Sequence, residues 1–204
     1  MIGLDHVILG VADLDVAAEA LGLRSLAGGH HEGRGTGNRI VALGPSYLEL
    51  MAVVDADEAA GHPFGRWVAA SLAGGDRFLG WCVRTDDLDA VSARLRLTPE
   101  AWSRARPDGA VLRWRLAGLE ASHADPSLPF FIQWELTEEE LPGYAGPRAG
   151  AIERVEVGGD PERVAEWVGA EVPEVVVVGS GPAGPQRVEV RAGVRVVTVA
   201  AGGS

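Results

Sequence analysis

Alternating apolar and polar positions occur along the chain in short runs, and the runs recur. Residues 4–23 read LDHVILGVADLDVAAEALGL and residues 78–97 read FLGWCVRTDDLDAVSARLRL. An offset of 74 residues superposes Asp13-Leu14-Asp15 on Asp87-Leu88-Asp89, Leu21 on Leu95 and Leu23 on Leu97. The same offset again reaches AIERVEVGGDPERVAEWVGAE, residues 151–171, and matches Val7 to Val155, Leu9 to Val157 and Ala17 to Ala165. A repeat of this length fixes the architecture before any single residue does.

Each unit opens with alternation of period two: Val7 and Leu9, Trp81 and Val83, Val155 and Val157. That spacing predicts a half-buried strand. An acidic helix start follows, at Asp13 or Asp15, at Asp87 or Asp89, and at Asp160-Pro161 with proline at the first helical position. Glycine-separated β segments come next. They are expected near residues 24–28, 38–44 and 46–54 in unit one, and near 173–178, 185–191 and 194–200 in unit three. Unit two carries an insertion before its last strand, LPFFIQWEL. Pro45 and Pro129 enter the last strands of their units and set the expected register. The prediction is an α+β chain of βαβββ units: 1–60, 77–140 and a third, degenerate unit over 150–204. A linker helix is expected over 61–76 and a Pro/Gly-rich linker over 137–150.

Composition narrows the chemistry. The chain has 204 residues, 47% hydrophobic, enough to bury a core. Its net charge of −11 argues against a nucleic-acid or anionic-membrane surface. All 18 basic residues are arginine, which removes lysine Schiff-base chemistry and a lysine-dependent phosphate loop. A single cysteine, Cys82, excludes an intrachain disulfide. The first residues, MIGLDHVILG, lack a basic start and are interrupted by Asp5, so they do not read as a signal peptide. The expectation is a cytoplasmic protein.

One stretch suggests a dinucleotide: VVVVGSGPAG, residues 175–184. Its glycines have the spacing of a phosphate loop, which requires a helix directly after them. Here Pro185 and an alternating PQRVEVRAGVRVVTVA follow instead. The expectation is an inter-strand loop and no dinucleotide cofactor.

The tandem unit that opens DHVIL and closes YLELM resembles the vicinal oxygen chelate superfamily of glyoxalase I, extradiol dioxygenases and bleomycin-resistance proteins. The longer GGHHEGRGTGNRIVALGPSYLELMAV, with LPFFIQWEL, resembles its glyoxalase-like branch over about residues 3–136. The resemblance implies two units packed into a cupped half-barrel, with a divalent metal (Zn, Ni, Mn or Fe) held by the first and fourth strands of each. Carried over, those positions are His6, Glu49, Gly80 and Gln133; Gly80 has no side chain to offer. The implied function is a metal-dependent enzyme of lyase, isomerase or dioxygenase type acting on a small oxygenated molecule, with Glu49 as catalytic base. The alternative is a metal-free protein that sequesters a small molecule.

Alternation alone also selects the cup. His6 shares a strand face with Ile8, and Glu49 shares one with Tyr47 and Met51. Buried among apolar residues, a His and a Glu require pairing, hydrogen bonds or a metal. The bland reading of His6 is a core histidine bonded to Glu49 or to a carbonyl. Tyr47, Met51, Asn38, Cys82, Phe131 and Glu135 complete the expected pocket, with Glu135 a second candidate base. The glycine-rich GGHHEGRGTGN reads as a mobile loop, solvated or folded over the cup as a lid through His31, Arg34 or Asn38. His62 and His123 read as surface residues. Arg113 and Arg115 flank Trp114 and are either a solvated face or a carboxylate clamp at the cup. Unit three has Arg154 and Val197 where unit one has His6 and Glu49. It is expected to cap the pocket or to form a homodimer interface.

Overall fold

The structure, a computed structural model, describes residues 1–105 and 109–200; residues 201–204 of the expected third unit lie outside them. In unit one, β1 (Ile2–Gly10), α1 (Leu14–Leu21), β2 (Leu26–His31), β3 (Thr36–Ala42) and β4 (Tyr47–Val53) follow in order. α3 (Pro63–Leu72) lies within the span expected for the linker helix, and a further short helix, α2 (Ala56–Gly61), precedes it. His62 makes the break: its Nδ1 accepts from the Phe64 amide at 3.1 Å and caps α3, with Pro63 at the first helical position. Unit two contains β5 (Arg77–Thr85), α4 (Leu88–Leu95), β6 (Glu100–Ala105), β7 (Val111–Ala117), a short helix α5 (Leu119–Ala124) and β8 (Phe130–Trp134). The rest is β9 (Ala151–Gly158), α6 (Pro161–Val168), β10 (Val175–Val178), β11 (Gly184–Ala192) and β12 (Arg195–Ala200). Asp13, Asp87 and Asp160 are the N-caps of the three repeat-related helices.

The first eight strands curl further than the expected half-barrel. They run β1-β4-β3-β2-β6-β7-β8-β5 and close into a barrel. β1 joins β5 along its length, whereas β2 meets β6 at the single pair His30–Ala105. Gly29 permits that seam: its φ is +141°, and a methyl group there would run into the Ala105 carbonyl. One apolar cluster lies outside the barrel wall, under the helices, and includes Val7, Leu9, Leu48, Leu50, Trp81 and Phe131. A second fills the interior around Ile8, Met51, Cys82, Trp114 and Ile132.

The third unit keeps the element order of the others but not their sheet. Its strands run β10-β9-β11-β12, whereas unit one runs β1-β4-β3-β2. The loop after β10 leads directly into β11, so no helix follows its glycines. Val155, Val157, Val188 and Val190 pack into the same outer cluster as Trp81 and Val83 of β5. Arg94 of α4 donates to the carbonyls of Glu166, Trp167 and Val168 at 2.8, 2.8 and 3.1 Å. Those carbonyls end α6, where helical partners run out. Trp167 Nε1 donates to the Pro129 carbonyl at 2.8 Å. The unit is therefore fastened to the outside of unit two, away from the barrel interior, which does not fit the first of its two expected roles, a cap on the pocket. No helix among the described residues is long and apolar enough to cross a membrane.

Candidate functional site

A pocket opens into the barrel interior, and its two walls differ. Unit one contributes His6, His31, Asn38, Tyr47 and Glu49. Unit two contributes Trp102, Trp114, Phe130, Ile132 and Trp134, with Arg104 the charged member.

The polar wall is built around His6. The register of β1 on β5 shifts between Leu4 and His6. A bulge breaks strict alternation, so Leu4 and Val7 both join the outer cluster while Asp5 and His6 both turn inward. Asp5, 1% exposed, is the residue that alternation misses. Its Oδ1 accepts from His6 Nδ1 at 2.7 Å, and its Oδ2 accepts from Trp134 Nε1 at 2.9 Å and Arg84 Nη1 at 3.4 Å. A carboxylate only accepts, so Nδ1 carries the ring proton and Nε2 faces inward. Tyr47 stacks on the ring, centroids 4.6 Å apart.

His6 Nε2 lies 3.5 Å from Glu49 Oε2. Glu49 Oε1 accepts from Asn38 Nδ2, and Asn38 Oδ1 accepts from Arg104 Nη1 at 3.3 Å. Nε2 and Oε2 each have a lone pair to offer, and a proton or a cation between them would bridge the two. A divalent cation fits the spacing: two ligands about 2.1 Å from a tetrahedral ion stand roughly 3.4 Å apart. Asp5 behind His6 then takes the place of the carboxylate that commonly orients a metal-binding histidine. Asp5, His6 and Cys82 also bring their potential ligand atoms within 4.8 Å of one another. Asp5 Oδ1 and His6 Nδ1 are hydrogen-bonded to each other in the structure.

His31 also lines this wall. It ends β2 rather than lying in a mobile loop, and its Nδ1 is 2.9 Å from Thr36 Oγ1. Burial lowers its pKa to about 4; Glu49 opposes the shift and Arg104 adds to it. The imidazole is neutral at physiological pH. Tyr47 moves the other way, because burial and the carboxylates of Asp5 and Glu49 push its phenol up, so it remains a proton donor. The expected mobile loop is a pinned turn: Glu58 accepts from the amides of Gly33 (2.5 Å) and Gly35 (2.8 Å) and pairs with His30 at 2.8 Å. Arg34 lies over the Trp102 ring, 3.8 Å from its centroid.

The opposite wall corrects the expected ligand set. Phe130, Ile132 and Trp134 face the cavity, so Gln133 does not. Gln133 Oε1 accepts from the Leu88 amide at 3.3 Å and its Nε2 donates to the Asp86 carbonyl at 2.8 Å, at the start of α4. Phe131 is buried in the outer cluster, and Glu135 lies beyond β8, outside the cavity lining. The two prolines gave the wrong phase. β1 pairs Ile8 with Glu49, and β5 pairs Cys82, the repeat counterpart of Ile8, with Phe130, which puts Phe130 at the counterpart of Glu49. A slip by an odd number of residues exchanges the faces of a strand. Cys82 itself is buried in the interior cluster without lining the cavity, and burial pushes its thiol up. Gly80, with φ +155°, sits at the β5 bulge, where a methyl group would touch Ser122 Oγ at 3.4 Å.

Other residues fall elsewhere. Arg115 pairs with Asp89 at 2.5 Å on an exposed surface, and Arg113 is exposed, while Trp114 between them faces the cavity. His123 is not a surface residue: it stacks on Trp67 at 3.6 Å, and burial lowers its pKa to about 4. Trp102, Trp134 and Arg104 were not singled out in the sequence. They sit at alternate positions of β6 and β8 whose phase became clear only from the pairing.

Comparisons agree with this architecture. A hypothetical protein from Staphylococcus aureus superposes with a TM-score of 0.66 at 19% identity, over 97% of this chain and 84% of that one. Methylmalonyl-CoA epimerase from Mycobacterium tuberculosis gives 0.45 at 24% identity, over 66% of this chain and 88% of that one. The Mn(II)-bound glyoxalase from Novosphingobium aromaticivorans gives 0.48 at 12% identity, over 91% and 64%. No curated protein sequence matches. The model of the glyoxalase-like domain matches residues 4–172, most of the chain. With that match, and with a curled eight-stranded sheet around the interior pair His6–Glu49, the chain belongs to the glyoxalase-like domain family of the vicinal oxygen chelate superfamily.

Proposed function

We propose that the barrel interior binds one small oxygen-bearing molecule and acts on it at the His6–Glu49 pair, with a divalent cation held by His6 Nε2 and Glu49 Oε2. The supporting observation is the 3.5 Å approach of two groups that each offer electron pairs, backed by the Asp5 hydrogen bond to His6. A cation there would polarise a ligand oxygen and favour its anionic form. The chain's own residues position the ligand. Tyr47 offers a proton-bearing phenol, neutral His31 offers an imidazole nitrogen, and Asn38 and Arg104 hold Glu49 in place. Glu49 is the carboxylate in position to take a proton from the ligand. Two protein ligands leave open positions for ligand oxygens. Lyase, isomerase and dioxygenase chemistry all start from such an arrangement.

A second reading, metal-free sequestration, has its own observation: unit two presents Gly80 and Phe130 where unit one presents His6 and Glu49, and Gln133 turns away. In that reading a proton bridges His6 and Glu49. Elemental analysis and calorimetric titration with Mn2+ and Zn2+ separate the two. One ion per chain, lost in His6→Ala, supports the enzyme; no ion under any loading condition supports sequestration.

A further inference from the structure

The unit-two wall carries a feature that a metal site does not call for. Trp102 on β6, Trp114 on β7 and Trp134 on β8 are cross-strand partners in one register row. All three face the cavity. Neighbouring strands lie about 4.8 Å apart, so the row forms an indole surface about 10 Å wide. Ring centroids are 6.4 Å apart for Trp102–Trp114 and 5.1 Å for Trp114–Trp134, with planes tilted by 36° and 50° as the barrel curves. Two of the indole N–H groups are committed away from the ligand: Trp102 Nε1 to Glu100 Oε2 at 3.2 Å, and Trp134 Nε1 to Asp5 Oδ2 at 2.9 Å. These rings offer faces and edges rather than hydrogen bonds. Opposite them stand the oxygen- and nitrogen-bearing groups of Glu49, His6, Tyr47 and His31.

We propose that the ligand is a flat, conjugated molecule whose ring lies on the tryptophan row while its oxygen substituents, all on one edge, meet the unit-one wall. This rests on the reading of the interior as a ligand site and adds the class of ligand. A ring stacked on an aromatic face gains over an equally large aliphatic body, by roughly 2- to 10-fold per contact. Sugars also stack on tryptophan, but they carry hydroxyls around the whole ring. Here the remaining walls are apolar apart from Asn38 and Arg104, with Ile8, Met51, Phe64, Leu116, Phe130 and Ile132 among them, which would leave most of those hydroxyls unpaired.

Isothermal titration of the purified chain with three probes tests the inference: 2-naphthol, its saturated counterpart trans-2-decalol, and glucose. The expected result is that 2-naphthol binds about ten-fold or more tighter than decalol, and glucose not measurably. Trp114→Leu should remove most of that preference. Trp114→Phe, which keeps a ring and is safer for folding, should keep part of it. Decalol binding as tightly as naphthol, an undiminished preference in Trp114→Leu, or glucose binding best would overturn the ligand class and leave a small-molecule site standing. Failure of both bicyclic probes to bind would overturn the inference together with the reading beneath it.

Discussion

The neutral state of His31 makes a prediction about acid stability. In the native chain its pKa is about 4, and in the unfolded chain about 6.5. Above pH 6.5 the imidazole is neutral in both states and contributes no pH dependence. As pH falls through 6.5 the unfolded chain binds a proton that the folded chain refuses, so stability drops until about pH 4, below which both are protonated. Between pH 7.5 and 5.0 the loss from this group works out at about 2 kcal/mol. The ring is 5% exposed, so solvent screens the effect little. His31→Gln keeps a polar group beside Thr36 without titrating. Urea unfolding of both proteins at the two pH values isolates the group, because every other titration is common to both. The wild type should lose about 2 kcal/mol more than the variant. Equal losses would refute the argument that His31 is buried and neutral.

Four further outcomes follow from the geometry. Gly35 has φ +67° and a methyl group there would run into the Ala59 amide and the Asp55 carbonyl, whereas Gly33, φ +73°, faces open space. Gly33→Ala should cost about 1–2 kcal/mol and Gly35→Ala about 3 kcal/mol or more, measured by chemical unfolding. Glu58→Gln should weaken the turn over residues 32–35 by about 1–3 kcal/mol, read as faster amide exchange at Gly33 and Gly35. Arg94→Met should loosen α6 from α4 through loss of three donations to its last carbonyls, lowering stability by about 2 kcal/mol. Gln133→Met should leave metal binding unchanged while costing about 1 kcal/mol at the start of α4.

Much of this fold is legible in the chain because period and punctuation agree. The three acidic helix starts became the three N-caps, and the alternation of Val7 and Leu9 against His6 and Ile8 assigned β1 its faces. Reading failed where alternation is interrupted. The β1 bulge turned Asp5 inward beside His6, and an odd-numbered slip between the Pro45 and Pro129 entries exchanged the faces of β8. That exchange hid Trp134 and promoted Gln133. Unit three shows a different limit: its element order repeats, but strand order is decided by which edges are free to pair, and a linear pattern does not encode that. The glycine-rich stretch read as a mobile loop because glycine signals a turn, while the Glu58 carboxylate that pins it comes from another element.

The central proposal is that His6 and Glu49 hold a divalent cation in the barrel interior. Titration of the chain with Mn2+, followed by loss of the free-ion paramagnetic resonance signal, tests it most directly. The account predicts one bound ion per chain, with binding abolished in His6→Ala and in Glu49→Gln and intact in Gln133→Met. Binding that survives in Glu49→Gln, or that Gln133→Met abolishes, would contradict it.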